Sequence, residues 1–445
     1  MNILNPGETL LKTDLETAKG GKANMTGVDF PKMALVGLSL YDKELENVSK
    51  EVSTTIASLS RDKTIRPGQT IAVSAGSRGI DRIDEVTRSC VDVLKGVGAK
   101  PFIFPAMGSH GGATADGQKT LLAHLGITEE SMGVPVRSSM EVIEVGVTHR
   151  NVPVYLDGYA ADADALVVIN RIKTHTKFEG DIESGLFKMM AIGMGKHQGA
   201  SVYHRAAVDH GMEAIIIDAG LMILKRCPVL FGLGVVENGL GRVTELKAVL
   251  PGQMMEEEKR LLALSKKVMA KIPFDHIDLL IVDEMGKNIS GTGMDSKVIG
   301  RHRDLIGDFW IHPHPKRIFV RDLTDLSDGN ATGVGLADFI THRLAKRIDR
   351  DKTVINCLTG LSPEKAAIPI AFPNDKEAIG AALETVGIKD INEMRVVNIQ
   401  NTRNLDRMFV SEAFLPEIER SSTIEQISSW LPMPFDKEGN LISPF

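Results

Sequence analysis

Three cysteines, Cys90, Cys227 and Cys357, are all that the 445-residue chain contains, and they lie far apart. An odd, scattered set offers neither a disulfide framework nor a CxxC metal site. Lysines and arginines form no block, and the net charge of −6 is spread along the chain, which argues against nucleic acid as a partner. No apolar run approaches the roughly 18 residues that a membrane span needs. The opening "MNILNPGETLLKTDLETAKGG" has no basic start followed by a continuous apolar run, so it does not read as a secretory leader. HExxH, GxGxxG and the phosphate loop GxxxxGK[ST] are also missing, and no internal repeat or low-complexity tract is visible. These absences leave a reducing, cytoplasmic protein with a small-molecule ligand as the expectation.

What is present is an ordinary globular composition, 43% apolar and 25% charged, in enough chain for two or three domains. Short Val- and Ile-rich runs alternate with amphipathic segments, which predicts an α/β fold with mainly parallel sheets. The runs are "TIAVSAG" near 70, "KPFIFPA" near 100, "ADALVVIN" near 163, "PVLFGLGVVE" near 228, "IDLLIVDE" near 277, "KRIFVRDL" near 316, "KTVINCL" near 352 and "MRVVNIQN" near 394. Between the first two, Ile80, Ile83, Val86, Cys90, Val93 and Val97 recur at helical spacing. The charged helix "EEEKRLLALSKKVMAKI" before Pro273 marks a passage between two α/β domains, 1–270 and 271–445, with the final residues free to pack back on the first.

Four polar, glycine-bearing loops follow strands: "SAGSRG", "MGSHGGAT", "RIKTHTKFEG" and "EMGKNISGTGMD". Carboxyl ends of parallel strands are where open α/β sheets bind ligands, so the four can share one site. In "GSHGGAT", Thr114 can cap the following helix, while His110 has no place in a mere capped turn and suits a general base. The stretch Asn170 to Ala207 adds His175, Lys188, His197 and His204 around further glycines. Zinc has no His/Cys pair at short spacing here and no carboxylate third ligand, but one imidazole suffices for a metal that a cofactor already holds. "MGKHQG" is not a phosphate loop, because Lys196 is followed by His197 and no strand precedes it. "HPHP" at 312–315 reads as a rigid loop more than as a metal site. Lys287 is either a solvated lysine or an anion-binding one.

In order and spacing, Arg78, His110, His175, Lys188 and His204 resemble the nickel-dependent lactate racemase family. The resemblance spans most of the first half and, more loosely, the second through "GKNISGTGMD". It implies two α/β domains with the active site between them, and a nickel-pincer nucleotide: a pyridinium mononucleotide whose two sulfur-containing arms and a ring carbon hold nickel. It further implies Lys188 as the tether to one arm, His204 as the remaining nickel ligand, His110 and His175 as acid/base pair, Arg78 as the substrate's orienting cation, and Lys287 as a second-domain contact. His197 is the nearest competitor of His204. The implied reaction is racemisation or epimerisation of a 2-hydroxy acid, the cofactor accepting a hydride from the carbinol carbon while a base takes the hydroxyl proton. The implied partners are that substrate and the proteins that make the cofactor.

The lactate racemase pattern has an acid three residues before this arginine, where this chain has Ala75. The expectation is a cleft with more room and less negative charge, and Asn288, Ser290 and Thr292 add polar groups; both favour a substrate larger or more polar than lactate. A cofactor carrier or assembly protein is one rival reading, and it leaves His110 and His175 without a role. A metal-dependent hydrolase is the other, and it lacks its carboxylates.

Overall fold

The computed structural model describes residues 29–59, 65–304, 312–387 and 390–445. The N-terminal stretch inspected for a leader lies outside them. The strands in chain order are β1 (Lys32–Leu38), β2 (Thr70–Ala75), β3 (Lys100–Pro105), β4 (Val142–Val147), β5 (Pro153–Asp157), β6 (Ala165–Arg171), β7 (Val229–Glu237), β8 (Val243–Val249), β9 (His276–Met285), β10 (His314–Leu323), β11 (Phe339–Thr341), β12 (Ile370–Phe372), β13 (Val396–Ile399), β14 (Arg407–Ser411), β15 (Ile424–Gln426) and β16 (Leu431–Pro432).

A five-stranded sheet, β3-β2-β6-β7-β8, is parallel except for β8. The expected helix between β2 and β3 is Ile83–Gly96, with Asp84 and Glu85 in its first turn, where acidic side chains complement the helix dipole. The sheet is covered on both faces, as its nearly continuous apolar strands require. Along β2, Ile71, Val73 and Ala75 point into one apolar layer and Ala72 into the other, the period-2 alternation of a strand. A nine-stranded sheet has the order β12-β11-β10-β9-β13-β14-β1-β15, with β16 also on β1. Its β12-to-β13 half is parallel and the rest antiparallel. The fold is thus α/β with mostly parallel sheets.

Two expectations need correction. "KTVINCL" is not a strand but part of the helix Arg350–Thr359: the Asp349 side chain accepts the Lys352 N–H as an N-cap, and Thr353 and Cys357, four apart, are the residues it buries. An apolar run this short does not distinguish the two periodicities. A boundary drawn at 270 by sequence order also misses β1, which belongs with the larger sheet. There it pairs with β14 and with the tail strands β15 and β16, so the tail meets an early segment without leaving that sheet. Among the described residues no helix is long and apolar enough to cross a membrane.

Candidate functional site

All four loops singled out in the sequence do leave carboxyl ends of parallel strands: β2, β3 and β6 of the smaller sheet and β9 of the larger one. Between the sheets, Lys173 pairs with Asp295 at 3.2 Å, Lys297 with Glu183 at 3.0 Å, and the Ser296 hydroxyl donates to the Thr176 carbonyl at 2.6 Å. Lys177 reaches the Gly360 carbonyl and the Ser362 hydroxyl at 2.5 and 2.6 Å. The loop after β6 is therefore held by the larger sheet.

His110 sits at the tip of the β3 loop. Gly111 there has φ +66°, and a Cβ on it would lie 2.6 Å from the Gln118 nitrogen, so the loop can close on the next helix only with glycine. Thr114 caps that helix as expected, accepting the Gly117 N–H at 3.1 Å. Behind the loop, buried Gln118 donates its amide to the Gly108 and His110 carbonyls and accepts from Lys196, which also pairs with Asp157 at 3.0 Å. The lysine of "MGKHQG" thus braces the His110 loop from within the core. The His110 Nδ1 is hydrogen-bonded to the Ser77 hydroxyl.

His175 follows β6. Its backbone N–H donates to Glu183 at 2.6 Å, its Nδ1 accepts the Lys177 N–H at 3.1 Å, and its ring lies 4.4 Å from that of Phe178. Lys188 ends a short helical turn, Leu186–Lys188. The Asn170 amide donates to the Gly185 carbonyl at 2.7 Å, and buried Glu258 accepts the Phe187 N–H at 3.0 Å, so both anchor the start of that turn. Burial raises Glu258 to about 8, leaving it mostly neutral at pH 7. His204 lies on the helix Lys196–His210; its Nδ1 is fully buried and finds no hydrogen-bond partner among the described residues.

The sequence-predicted residues come together electrostatically. The His110 ring is held well below its ordinary pKa by loss of solvent and by Arg78, Lys287 and Lys188. His175 is lowered likewise, by loss of solvent, then Lys188, Lys177 and His204. His204 falls to about 4, through loss of solvent and the nearby Lys177 and Lys188. Lys188 and Lys287 both drop to about 7, again through loss of solvent and then Arg78. Arg78 has an exposed side chain yet is crowded by protein, and loss of solvent and then Arg171 lower it to about 10. From the larger sheet, Lys287 donates to the Gly291 carbonyl at 2.8 Å and to Asn356 at 3.1 Å. A Cβ on Gly291 would come within 2.9 Å of the Arg78 guanidinium, so that loop lies directly on the arginine. Near pH 7 the site therefore offers neutral imidazoles, partly neutral amines and one lasting cation.

The substrate arguments from sequence fare differently. Ala75 is 3% exposed and packs with Val73 and Met107 in an apolar layer against the sheet, so its methyl is taken up by the core. Ser290 and Thr292 are buried, with Thr292 donating to the Met294 carbonyl, and Asn288 accepts from Thr324. These side chains brace their own loop. His197 is exposed. "HPHP" lies at the opening end of β10, where His314 is in register with His276 of β9, at the sheet edge opposite the site. Among the described residues no three His, Cys, Asp or Glu group as metal ligands. Sequence reasoning missed Ser77, Gln118, Lys177, Glu183 and Glu258. All five act by holding other residues, and nothing in their local spacing signals that.

Residues 33–215 match the model of the lactate racemase N-terminal domain. No curated protein matches the chain. Among solved structures, a structural-genomics protein from Thermotoga maritima is similar over 75% of this chain and 88% of its own, with 14% identity and a TM-score of 0.50, a likeness of fold alone. A lactate racemase apoprotein from Thermoanaerobacterium thermosaccharolyticum is similar over 82% of this chain and 84% of its own, with 13% identity and a TM-score of 0.45. The matched segment carries Arg78, His110, His175, Lys188 and His204. Residues 33–215 are thus similar to the lactate racemase N-terminal domain, a likeness of that segment of the chain.

Proposed function

We propose that the protein is an isomerase, a racemase or epimerase of a 2-hydroxy acid that uses a nickel-pincer nucleotide. The observation that carries this reading is the convergence of Arg78, His110, His175, Lys188, His204 and Lys287, on loops and helices from both sheets' halves, into one electrostatically coupled group. The donor set fits the cofactor. His204 has a buried nitrogen without a partner and a neutral ring, the form in which imidazole ligates a metal. Lys188, at about 7, is an amine free enough to join one arm of the nucleotide covalently. When bound, the nucleotide supplies a hydride acceptor and donor for the carbinol carbon.

The chain's own residues supply the rest. Arg78 binds the substrate carboxylate through paired N–H donors, and Lys287 adds a second positive group on the same side. The two imidazoles, neutral at pH 7, serve the substrate hydroxyl, one as base and the other as donor. Positioned proton transfer of this kind contributes about 10² to 10⁴ in rate. The same cations favour the developing alkoxide. A cofactor carrier needs Lys188 and His204 but not two imidazoles beside an arginine, so the enzyme reading is favoured. Which 2-hydroxy acid is used does not follow from Ala75, whose side chain is taken up by the core.

The test is threefold. Intact mass of cofactor-loaded protein should exceed that calculated from its sequence by the attached nucleotide, and Lys188→Ala should show only its own calculated mass; active wild type at its bare calculated mass defeats the tether. His204→Ala should lose nickel, while His110→Ala and His175→Ala keep it and lose roughly a hundredfold or more in turnover. Enantiopure 2-hydroxy acids should lose optical rotation, or convert to an epimer, with wild type; an inactive panel with fully loaded protein would sink the enzyme reading.

A further inference from the structure

The two imidazoles are held by different kinds of hydrogen bond. At His175, Nδ1 faces a backbone N–H, that of Lys177, at 3.1 Å. An amide can only donate, so this nitrogen must present its lone pair, and the neutral ring carries its hydrogen on Nε2. Phe178 packs against the ring and Glu183 accepts from the backbone N–H, both with Nδ1 turned to Lys177. At His110, Nδ1 faces the Ser77 hydroxyl, which accepts as readily as it donates and turns about its C–O bond. Ser77 makes no other side-chain hydrogen bond among the described residues, and neither does the His110 ring.

We propose that Ser77 is a positioning residue that frees His110 to occupy either tautomer, so that His110 presents a base at Nε2 while His175 presents an N–H there. The catalytic part rests on the racemase reading; the tautomers do not. In the base step, the substrate O–H bond breaks and its proton forms an N–H bond at His110 Nε2. The ring, already hydrogenated at Nδ1, becomes an imidazolium whose Nδ1–H donates to the serine oxygen, and the substrate oxygen keeps the electron pair. His175 taking the same proton at Nε2 would need its other hydrogen on Nδ1, head-on against the Lys177 N–H. It suits the opposite duty, donating Nε2–H to that oxygen. Catalysis in the reverse sense then requires His175 to break its bond to Lys177, and the two directions draw on unlike resting states.

The experiment uses full-length protein without cofactor, labelled with ¹⁵N at its 12 histidines. Long-range ¹H–¹⁵N spectra read the tautomer of each ring, with His110→Gln and His175→Gln assigning the signals. His175 should be a pure Nε2–H ring in wild type and in Ser77→Ala. His110 should carry hydrogen on Nδ1 in a measurable fraction of wild-type molecules, lose it in Ser77→Ala and recover it in Ser77→Thr. A His110 ring that is wholly Nε2–H in wild type, or unchanged in Ser77→Ala, overturns the proposal, as does an Nδ1–H signal from His175. Unperturbed His175 signals in the variant establish that the site still folds. With loaded enzyme, Ser77→Ala should lower kcat about tenfold at nearly constant KM, and Ser77→Thr should restore it, in line with what an imidazole's orienting partner contributes. A wild-type kcat in Ser77→Ala removes the catalytic role. Failure to find any turnover in wild type overturns the racemase reading instead, and the spectra still decide the tautomers.

Discussion

The loops carrying His110 and His175 leave neighbouring regions of one sheet, yet they are braced from opposite directions. The His110 loop closes on its own helix at Gly111 and is tied from behind by Gln118, Lys196 and Asp157, all within the smaller sheet's half. The His175 loop is tied through Glu183, Lys173, Thr176 and Lys177 to Lys297, Asp295, Ser296, Gly360 and Ser362 of the larger sheet's half. One imidazole is thus set by local packing and the other by the meeting of two layers. The site exists in full only when both layers are in contact, and Lys188 acts on both rings.

Four measurements would break or sharpen this contrast. The largest effect concerns Lys188. A lysine lowered from 10.5 to about 7 is half unprotonated at neutral pH, whereas an ordinary one is almost wholly charged. In protein without cofactor it should react with a small acylating reagent roughly a hundredfold faster than surface lysines at pH 7. Because the free amine is the reactive form, the rate should level off above about pH 8 and fall as pH drops below 7. Competitive labelling read by peptide mass checks this, and a rate like that of its neighbours would place the amine in water.

Next comes Glu183, fully buried with Lys297 at 3.0 Å and Lys266 at 2.7 Å. Glu183→Ala removes the buried carboxylate shared by Lys297 and Lys266, leaving Lys297 with the half-exposed Glu179 at 3.3 Å, and should cost about 3 kcal/mol in denaturant unfolding. It should also disturb the His175 ¹⁵N signals and leave those of His110 in place; equal disturbance of both would erase the contrast. Gly111→Ala attacks the other loop. A Cβ at φ +66°, facing backbone at 2.6 Å, should cost about 2 kcal/mol. The pattern should be reversed, with His110 displaced and His175 unmoved. Smallest is Thr114→Ala, which removes the cap on the following helix and should cost about 1 kcal/mol with both rings retained.

How much of this was readable beforehand follows from the same division. The strands "TIAVSAG", "KPFIFPA" and "ADALVVIN" announced themselves because they are apolar on both faces, and the loops after them because chemistry-bearing residues sat among glycines. The six site residues stood out by type. Glu183 and Gln118 did not, since a buried carboxylate or amide looks in sequence like any solvated one, and only its partners from distant elements give it meaning. Ala75 was misjudged for a related reason: alternation along β2 turns its methyl to the core, and the strand's last residue could not be located from sequence to the one position that decides this. β1 was unreadable as a member of the larger sheet because its partners lie hundreds of residues away.

That last pairing orders events in time. Met33 faces Ser411 in the ladder between β1 and β14, so the first strand has no neighbour until almost the whole chain has left the ribosome. The smaller sheet, β2 to β8, closes within residues 70–249 and has all its strands long before. A chain emerging from its N-terminus therefore trails an unpaired apolar strand while its smaller sheet folds, and the larger sheet, whose β1 contacts span nearly the full sequence, pays the greater loop-closure entropy and completes last. Pulse proteolysis during refolding should then find the segment around residues 32–38 cleavable after the smaller sheet has become resistant.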